Sequence, residues 1–176
     1  MPMSDYVRSL RERVGTMQLE MPTASVVVFD EARRILLVRH VEGNEWTTPG
    51  GLIEPEETPA DAAVREAWEE TGLAVALVRI IGVFGGKACT GTYANGDRIA
   101  WVSTLFEGKV VGGTPRHDGE ETLEVRFLGV DELRRLPRKA HVDMFVDAAL
   151  AGSVSAVFQP ATWRPPIATA DLGLQR

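Results

Sequence analysis

The sequence predicts one α+β domain in which a mixed β-sheet carries helices on both of its faces. Segments typical of strands and of helices are mixed along the chain without a regular strand–helix–strand repeat, so an all-parallel sheet is not expected. The chain has 176 residues, of which 44% are hydrophobic and 25% charged, an ordinary composition for a globular protein. Its length is enough for one domain with a full core.

Three regions are expected along the chain: an N-terminal helical segment over residues 1–20, the main domain over residues 21–152 and a C-terminal tail over residues 153–176. Ser4 to Val14 has apolar residues on one side and predicts a short amphipathic helix. Within the tail, Pro160 to Arg176, which contains Pro165-Pro166, predicts irregular structure.

The strands of the main domain are predicted from short apolar or alternating runs. Thr23 to Asp30 predicts a buried strand, Ile35 to Arg39 predicts a second one, and the short turn between them predicts a hairpin. Asn95-Gly96 predicts a turn, and Val110 to Glu121, with its glycines, predicts a loop. Three further strands and two short helices are predicted over Val75 to Phe84, Arg98 to Glu107 and Leu123 to Leu128, and over Val130 to Leu136 and Val142 to Leu150.

One more helix, between Thr58 and Gly72, has the best-defined ends. Thr58 is a suitable N-cap, Pro59 fits the first helical turn, and Gly72 is suited to end the helix. Ala63 and Ala67 form a stripe of small residues that allows close packing on a sheet.

Three glutamates of this helix, Glu66, Glu69 and Glu70, occupy positions i, i+3 and i+4 and therefore share one face. Like charges at this spacing repel, and each pair costs about 0.2–0.5 kcal/mol in an isolated helix. Clustered carboxylate oxygens are the ligands that Mg²⁺ and Mn²⁺ prefer, and a Mg²⁺ site leaves room for substrate phosphates. The cluster therefore predicts a divalent metal site. The nearby Gly50 and Gly51 allow the backbone to approach a ligand closely.

The segment from Gly51 to Leu73 resembles the Nudix box, G-x5-E-x7-R-E-U-x-E-E-x-G-U, in which U is an aliphatic residue. Ala67 is a small member of the aliphatic class. Every fixed position of the pattern is filled, by Gly51, Glu57, Arg65, Glu66, Ala67, Glu69, Glu70, Gly72 and Leu73. The resemblance implies the Nudix fold, an α/β/α sandwich with a central mixed sheet, for the main domain.

The resemblance also implies an activity, because members of this family hydrolyse a diphosphate linkage in nucleoside diphosphates joined to another group, usually with Mg²⁺. By position, Glu57 and Arg65 would tie the loop to the helix through a salt bridge. The implied metal ligands are the carbonyl of Gly50 and the carboxylates of Glu54, Glu66, Glu69 and Glu70. Mn²⁺ is a second candidate ion.

The general base and the substrate contacts are less fixed by the resemblance. In the family the base is a helix glutamate or an acidic residue of a later loop, and Glu121 and Glu124 are the preferred candidates from that later region. Arg39, which ends a predicted strand near Gly50, is a candidate donor to a phosphate, and Gly51 is a candidate substrate contact. Glu66, Glu69 and Glu70 remain catalytic candidates as well.

Aromatic side chains are interpreted as part of the core, and the histidines as non-catalytic. Core packing is favoured over base stacking for each of the aromatic candidates, and the three histidines are too scattered for a metal-ligand motif. The aromatic candidates are Trp46, Phe84, Tyr93 and Trp101, and the histidines are His40, His117 and His141.

The expected substrate is a small nucleotide with the linkage described above. Two alternatives stay open: a nucleoside triphosphate pyrophosphohydrolase that sanitises oxidised nucleotides, and a binding module that does not cleave its nucleotide. A net charge of −6 argues against binding to nucleic acid, and the absence of an apolar run near 18 residues argues against a membrane span. Cys89 is the only cysteine, which is compatible with a cytoplasmic location. A homodimer is a further expectation that the sequence leaves open.

Overall fold

The computed structural model describes residues 4–163, so the predicted Pro165-Pro166 segment lies outside the described residues. In chain order the elements are α1 (Asp5–Val14), β1 (Leu19–Val28), β2 (Ile35–His40), β3 (Trp46–Thr47), β4 (Gly50–Leu52), α2 (Pro59–Thr71), β5 (Leu73–Phe84), β6 (Thr90–Thr92), β7 (Arg98–Gly113), β8 (Thr122–Leu128), α3 (Val130–Leu133), α4 (Val142–Leu150) and β9 (Val157–Phe158).

The strands form two sheets, of which the larger is mixed and the smaller is antiparallel. The larger sheet has the order β4-β1-β7-β5-β9, with β6 paired to β7, and the smaller sheet has the order β3-β2-β8. β1 is parallel to β7 and β5 is parallel to β9, whereas the other strand pairs are antiparallel. The predicted mixed sheet is therefore confirmed.

Alternate residues of a strand point to opposite sides of the sheet. Apolar residues of β1 therefore lie on both faces, and helices pack against each face. On β1, Val26 and Val28 pack in a cluster with Ala63 and Ala67 of α2. Val27 lies in a second cluster, together with residues of α4 such as Phe145. The resulting arrangement is the predicted α/β/α sandwich.

Local signals define the ends of α2 as predicted. The Thr58 hydroxyl accepts a hydrogen bond from the backbone N–H of Asp61 at 3.1 Å, and Pro59 begins the helix. Gly72 ends it in the left-handed conformation with φ +68°, and its N–H donates to the Trp68 carbonyl. These caps fix the register of the glutamates relative to the loop before the helix.

The predicted hairpin between β1 and β2 is wrong. The two strands belong to different sheets and share only a single isolated bridge, between Phe29 and Ile35. β1 instead pairs with β7 along its whole length, and its other edge is taken by β4 at Thr23–Ser25 and by the Pro49 carbonyl at Val26.

The predicted loop over Val110 to Glu121 is also partly wrong, because β7 continues to Gly113. Its last residues pair with the start of β5, where Leu73 lies opposite Gly113 and Ala74 lies opposite Gly112. Gly113 has φ +90°, and a Cβ there would lie 2.3 Å from the Gly72 carbonyl oxygen. Glycine is needed at 113 for this close approach of two backbones, and the loop begins only after it.

No helix within residues 4–163 combines the length and the apolar character that crossing a lipid bilayer requires. α1, capped by the Ser4 hydroxyl, packs Val7 against Met21 and Ile99 of the larger sheet. The N-terminal helix is therefore part of the folded unit, and β1 begins at Leu19, inside the region expected to be the helical segment.

Candidate functional site

The loop that ends in β4 lies directly against the acidic face of α2. Glu66 and Glu70 are only 6% and 2% exposed, so two carboxylates are buried at this junction. The N–H of Gly50 donates to Oε2 of Glu70 at 3.0 Å. A Cβ added at Gly51 would lie 2.4 Å from Oε1 of Glu66, so only glycine allows the backbone to come this close to that carboxylate.

Arg65 connects the loop to the helix. Its guanidinium donates to both carboxylate oxygens of Glu57, at 2.8 and 2.9 Å, and to the carbonyl of Leu52 at 3.0 Å. Its Nη1 donates to Oε1 of Glu66 at 2.8 Å and to Oε2 of Glu69 at 2.9 Å. Hydrogen bonding from Arg65 lowers the pKa of Glu57. This is the geometry expected for the predicted structural pair, since a bidentate guanidinium–carboxylate contact fixes both partners.

The buried carboxylates carry more negative charge than Arg65 alone offsets. Burial and, next, the charge of Glu70 raise the pKa of Glu66 to about 7, although the hydrogen bond from Arg65 acts in the opposite direction. A divalent cation would favour the ionised forms of these groups, and carboxylate oxygens are suitable donors for Mg²⁺ and Mn²⁺. The chemistry of the donor set therefore fits a hard divalent ion.

The carboxylates of Glu66, Glu69 and Glu70 do not converge on one point where an ion would lie. Within residues 4–163, no group of three acidic, histidine or cysteine side chains has the geometry of a metal cage. Arg65 binds oxygens of Glu66 and Glu69, while Gly50 and His40 bind those of Glu70. An ion would have to replace some of these protein contacts.

Two predicted site residues from other strands pair with each other. Arg39 of β2 donates from Nε to Oε2 of Glu124 of β8 at 3.2 Å, and the two residues are cross-strand neighbours. Arg39 also donates to the Asn44 side chain at 2.5 Å. Contact with a phosphate would require Arg39 to give up one of these partners. Glu121 is the other candidate for the general base, and its backbone carbonyl accepts a hydrogen bond from the N–H of Val41.

His40 is a site residue that the sequence interpretation missed. It ends β2, and its Nε2 lies 3.1 Å from Oε1 of Glu70. Together with the Gly50 N–H, this contact leaves each oxygen of Glu70 with a protein partner. The sequence signal that could have indicated His40 is its position directly after Arg39, at the end of a strand predicted to lie near Gly50.

A groove extends from Gly50 and Gly51 toward the β6–β7 hairpin. The part beside Gly50 and Gly51 has a volume of about 160 Å³, and the adjoining part beside the β6–β7 hairpin, about 360 Å³, falls within the range typical of small-molecule sites. Tyr93 and Trp101 line both parts. The interpretation as core is wrong for the exposed Tyr93, whereas Trp101 also packs against the buried cluster that contains Met21 and Ile99. Trp46 and Phe84 are buried in the core, 3% and 5% exposed.

His141, under the groove, gives the protein a pH-dependent stability. Burial lowers the pKa of His141 to about 4, and its Nε2 lies 3.1 Å from the Thr47 hydroxyl. In the unfolded chain the His141 imidazole takes up a proton near pH 6.5, whereas in the folded protein it stays neutral down to about pH 4. The contribution of His141 to the free energy of unfolding is therefore fully present above pH 6.5 and is lost as the pH falls toward 4.

We expect the free energy of unfolding to fall by about 3 kcal/mol over this pH range through His141 alone. Urea unfolding at several pH values should show a shallower acid dependence for His141→Gln, because glutamine stays neutral and can still bond Thr47. A variant with the wild-type slope would contradict this assignment.

Comparisons with known proteins are consistent with this geometry. The family model of the NUDIX domain matches residues 19–146. A "MutT-like protein" of Streptomyces ambofaciens is 31% identical over 143 residues, which cover 81% of this chain and 85% of that protein. A "Putative 8-oxo-dGTP diphosphatase" of Bacillus subtilis (strain 168) is 34% identical over 110 residues, 62% of this chain and 67% of that protein. The solved structure of an ADP-ribose pyrophosphatase from Streptococcus suis superposes with a TM-score of 0.60 at 22% identity, covering 78% of this chain and 96% of that one.

Proposed function

The chain belongs to the Nudix hydrolase family, whose members cleave pyrophosphate linkages, and on this basis we propose that it is a Mg²⁺-dependent hydrolase of nucleoside diphosphates joined to another group. One observation carries the proposal. The buried Glu66 and Glu70 lie against Gly51 and Gly50 of β4, and the half-buried Glu69 is their neighbour on the helix. Among residues 4–163, Arg65 is the one guanidinium paired with this acidic face. Such a site attracts a divalent ion, which in turn attracts a diphosphate.

The proposed ligands of Mg²⁺ are the carboxylates of the helix and the loop: Glu54, Glu66, Glu69 and Glu70, with the carbonyl of Gly50. When bound, the ion neutralises phosphate charge and lowers the pKa of a water molecule. Arg65 and Glu57 hold the loop in place while the carboxylates exchange partners. Mn²⁺ has the same preference for oxygen ligands.

A carboxylate accepts the proton of the attacking water in this proposal. Glu66 is one candidate for this base: burial and Glu70 raise its pKa to about 7 in the metal-free protein, and an ion bound beside it would lower that pKa again. Glu121 and Glu124 stay candidates, although Glu124 is bound to Arg39. On release from Glu124, Arg39 would bind a substrate phosphate, and the backbone at Gly51 would contact the substrate.

A second substrate class, nucleoside triphosphates, is favoured by the relative named as a putative 8-oxo-dGTP diphosphatase. The products distinguish the two classes, because a triphosphate releases pyrophosphate and the other linkage gives two monophosphate products. The binding module without turnover is the weaker alternative, because every carboxylate of the Nudix box is present.

The proposed activity is tested with a panel of nucleotide sugars, ADP-ribose and nucleoside triphosphates, each with Mg²⁺, with Mn²⁺ and with EDTA. We expect product release only with a divalent ion, and none from Glu69→Gln at matched concentration. Glu132→Gln is the control, since Glu132 forms an exposed ion pair with Arg126 far along the chain from the box. Equal rates in EDTA, or in the Glu69 variant, would contradict the proposal.

The remaining expectations stay predictions. These are the cytoplasmic location, the homodimer and the extent of the domain over residues 21–152. Analytical ultracentrifugation with and without nucleotide would decide the oligomeric state.

A further inference from the structure

His40 contacts one of the proposed metal ligands from outside the Nudix box. Its Nε2 lies 3.1 Å from Oε1 of Glu70, and the N–H of Gly50 donates to Oε2 at 3.0 Å. An ionised carboxylate only accepts hydrogen bonds, so Nε2 carries the hydrogen of this contact. The side chain of Glu70, which is 3% exposed, therefore has a donor on each of its oxygens.

Strand alternation directs His40 toward α2. Leu36 and His40 are four residues apart on β2, so their side chains lie on the same face of the smaller sheet. Leu36 is buried in the cluster that contains Ala63 and Ala67 of α2. The last residue of β2 on that face is thus a histidine, and it meets the helix at Glu70 instead of at the apolar stripe.

A β-bulge at the end of β2 gives Glu70 a second contact with the smaller sheet. The register of β2 and β8 shifts between Arg39 and His40, so His40 lies opposite Thr122. The hydroxyl of Thr122 lies 3.4 Å from the backbone carbonyl oxygen of Glu70. Bulges are common next to active sites, where they change the direction of a side chain. The cross-strand pair of His40 and Thr122 therefore contacts Glu70 at its carboxylate and at its backbone.

The two donors on the Glu70 carboxylate can stay in place when an ion binds. Each carboxylate oxygen has two acceptor positions, and a single donor occupies one of them. The contacts that an ion would replace are then those of Arg65 with Glu66 and Glu69. His40 is not a ligand in this arrangement, because its Nε2 is bonded to Glu70 and Mg²⁺ prefers oxygen. Groups that hold a metal ligand in this way change metal affinity or activity by about 10- to 100-fold.

We propose that His40 is a positioning residue of the metal site, which fixes the Glu70 carboxylate before the divalent ion binds. The ring acts through Glu70 and contacts neither the ion nor the substrate in this role. The assignment rests on the proposed function, because it takes the acidic face of α2 to be the site of Mg²⁺ or Mn²⁺. It adds a residue of β2 to a site that the box supplies from one loop and one helix.

Mn²⁺ binding to the nucleotide-free protein, measured by electron paramagnetic resonance, tests this role without turnover. The Kd should rise about tenfold in His40→Leu, which fills the space of the ring and has no donor. His40→Gln should stay near the wild type, because the amide nitrogen of glutamine reaches the position of Nε2. The shorter His40→Asn should bind Mn²⁺ as weakly as His40→Leu. His117→Gln is the control, since it makes the same substitution at an exposed histidine in the loop before β8.

Thermal unfolding gives a second measure that does not depend on activity. The unfolding temperature in EDTA reports the stability of the metal-free fold, and added Mn²⁺ should raise this temperature less in His40→Leu and His40→Asn than in the wild type. A purely structural role would lower the temperature in EDTA and leave the Kd of Mn²⁺ unchanged. If His40→Leu does not fold, the comparison of His40→Gln with His40→Asn decides.

The outcomes separate this inference from the proposed reaction. Equal Mn²⁺ affinity in all variants, or tighter binding in His40→Leu, would overturn the role of His40 and leave the proposed reaction standing. Mn²⁺ binding that depends on His40, in a protein that hydrolyses no nucleotide, would support this role and overturn the reaction. A wild-type protein that binds no Mn²⁺ would overturn both.

Discussion

Replacement of Glu66 by glutamine is expected to lower kcat by about 10²- to 10⁴-fold, the range found when a general base is removed. The substitution removes a charge and keeps the size of the side chain. Its amide oxygen can still accept the hydrogen bond that Arg65 donates to Glu66 at 2.8 Å. The Nudix fold should therefore persist, whether Glu66 acts as the base or as a ligand of the ion.

The same substitution should stabilise the metal-free protein. Burial and Glu70 raise the pKa of Glu66 to about 7, so the folded state disfavours the ionised carboxylate. For an acid with a raised pKa, the folded state loses stability as the pH rises from the unfolded value near 4.5 through 7. Above pH 7 the cost is on the order of 2–3 kcal/mol, and glutamine does not have it. A bound divalent ion would offset the cost in the wild type.

Steady-state rates in Mg²⁺ test the expected fall in kcat, and thermal unfolding in EDTA at pH 5 and pH 8 tests the expected gain in stability. The variant should gain several degrees at pH 8 and little at pH 5. Loss of stability at pH 8 would mean that the carboxylates do not repel one another. Activity within a few-fold of the wild type would remove Glu66 from the reaction.

The sequence predicts those parts of the site that are set by residues close to one another along the chain. The ends of α2 follow from Thr58 and Gly72, and the helical spacing brings Glu66 and Glu70 to one face. A repeat of 3.6 residues needs no knowledge of the tertiary structure.

The parts that it did not predict depend on strand pairing between distant segments. β1 and β2 follow each other closely in sequence, yet β1 pairs with β7, 80 residues away, and β2 with β8. Those pairings also bring His40 to Glu70 and place Trp101 in the wall of the groove. Long-range pairing has no periodic signal in a single sequence, so the second half of the site could not be seen in it.

Replacement of Gly51 by alanine is the other substitution for which we expect a large effect. The new Cβ would lie 2.4 Å from Oε1 and 2.6 Å from Cδ of Glu66. That carboxylate is buried and bound to Arg65, so it cannot move away without losing this contact. We expect a fall in kcat of about 10²-fold from misplacement of the group, and a loss of about 1–3 kcal/mol in the free energy of unfolding from overpacking.

Gly112→Ala is the matched control, because a Cβ at this position meets no atom within 4 Å. A double-mutant cycle then tests whether the effect runs through Glu66. Glu66→Ala removes the atoms that the new Cβ would meet, so Gly51→Ala should cost little stability and little further activity in that background. If the effects of the two substitutions on stability and on kcat were instead additive, the losses caused by Gly51→Ala would have a cause other than the contact with Glu66. The close approach of backbone to carboxylate would then have no part in forming the site.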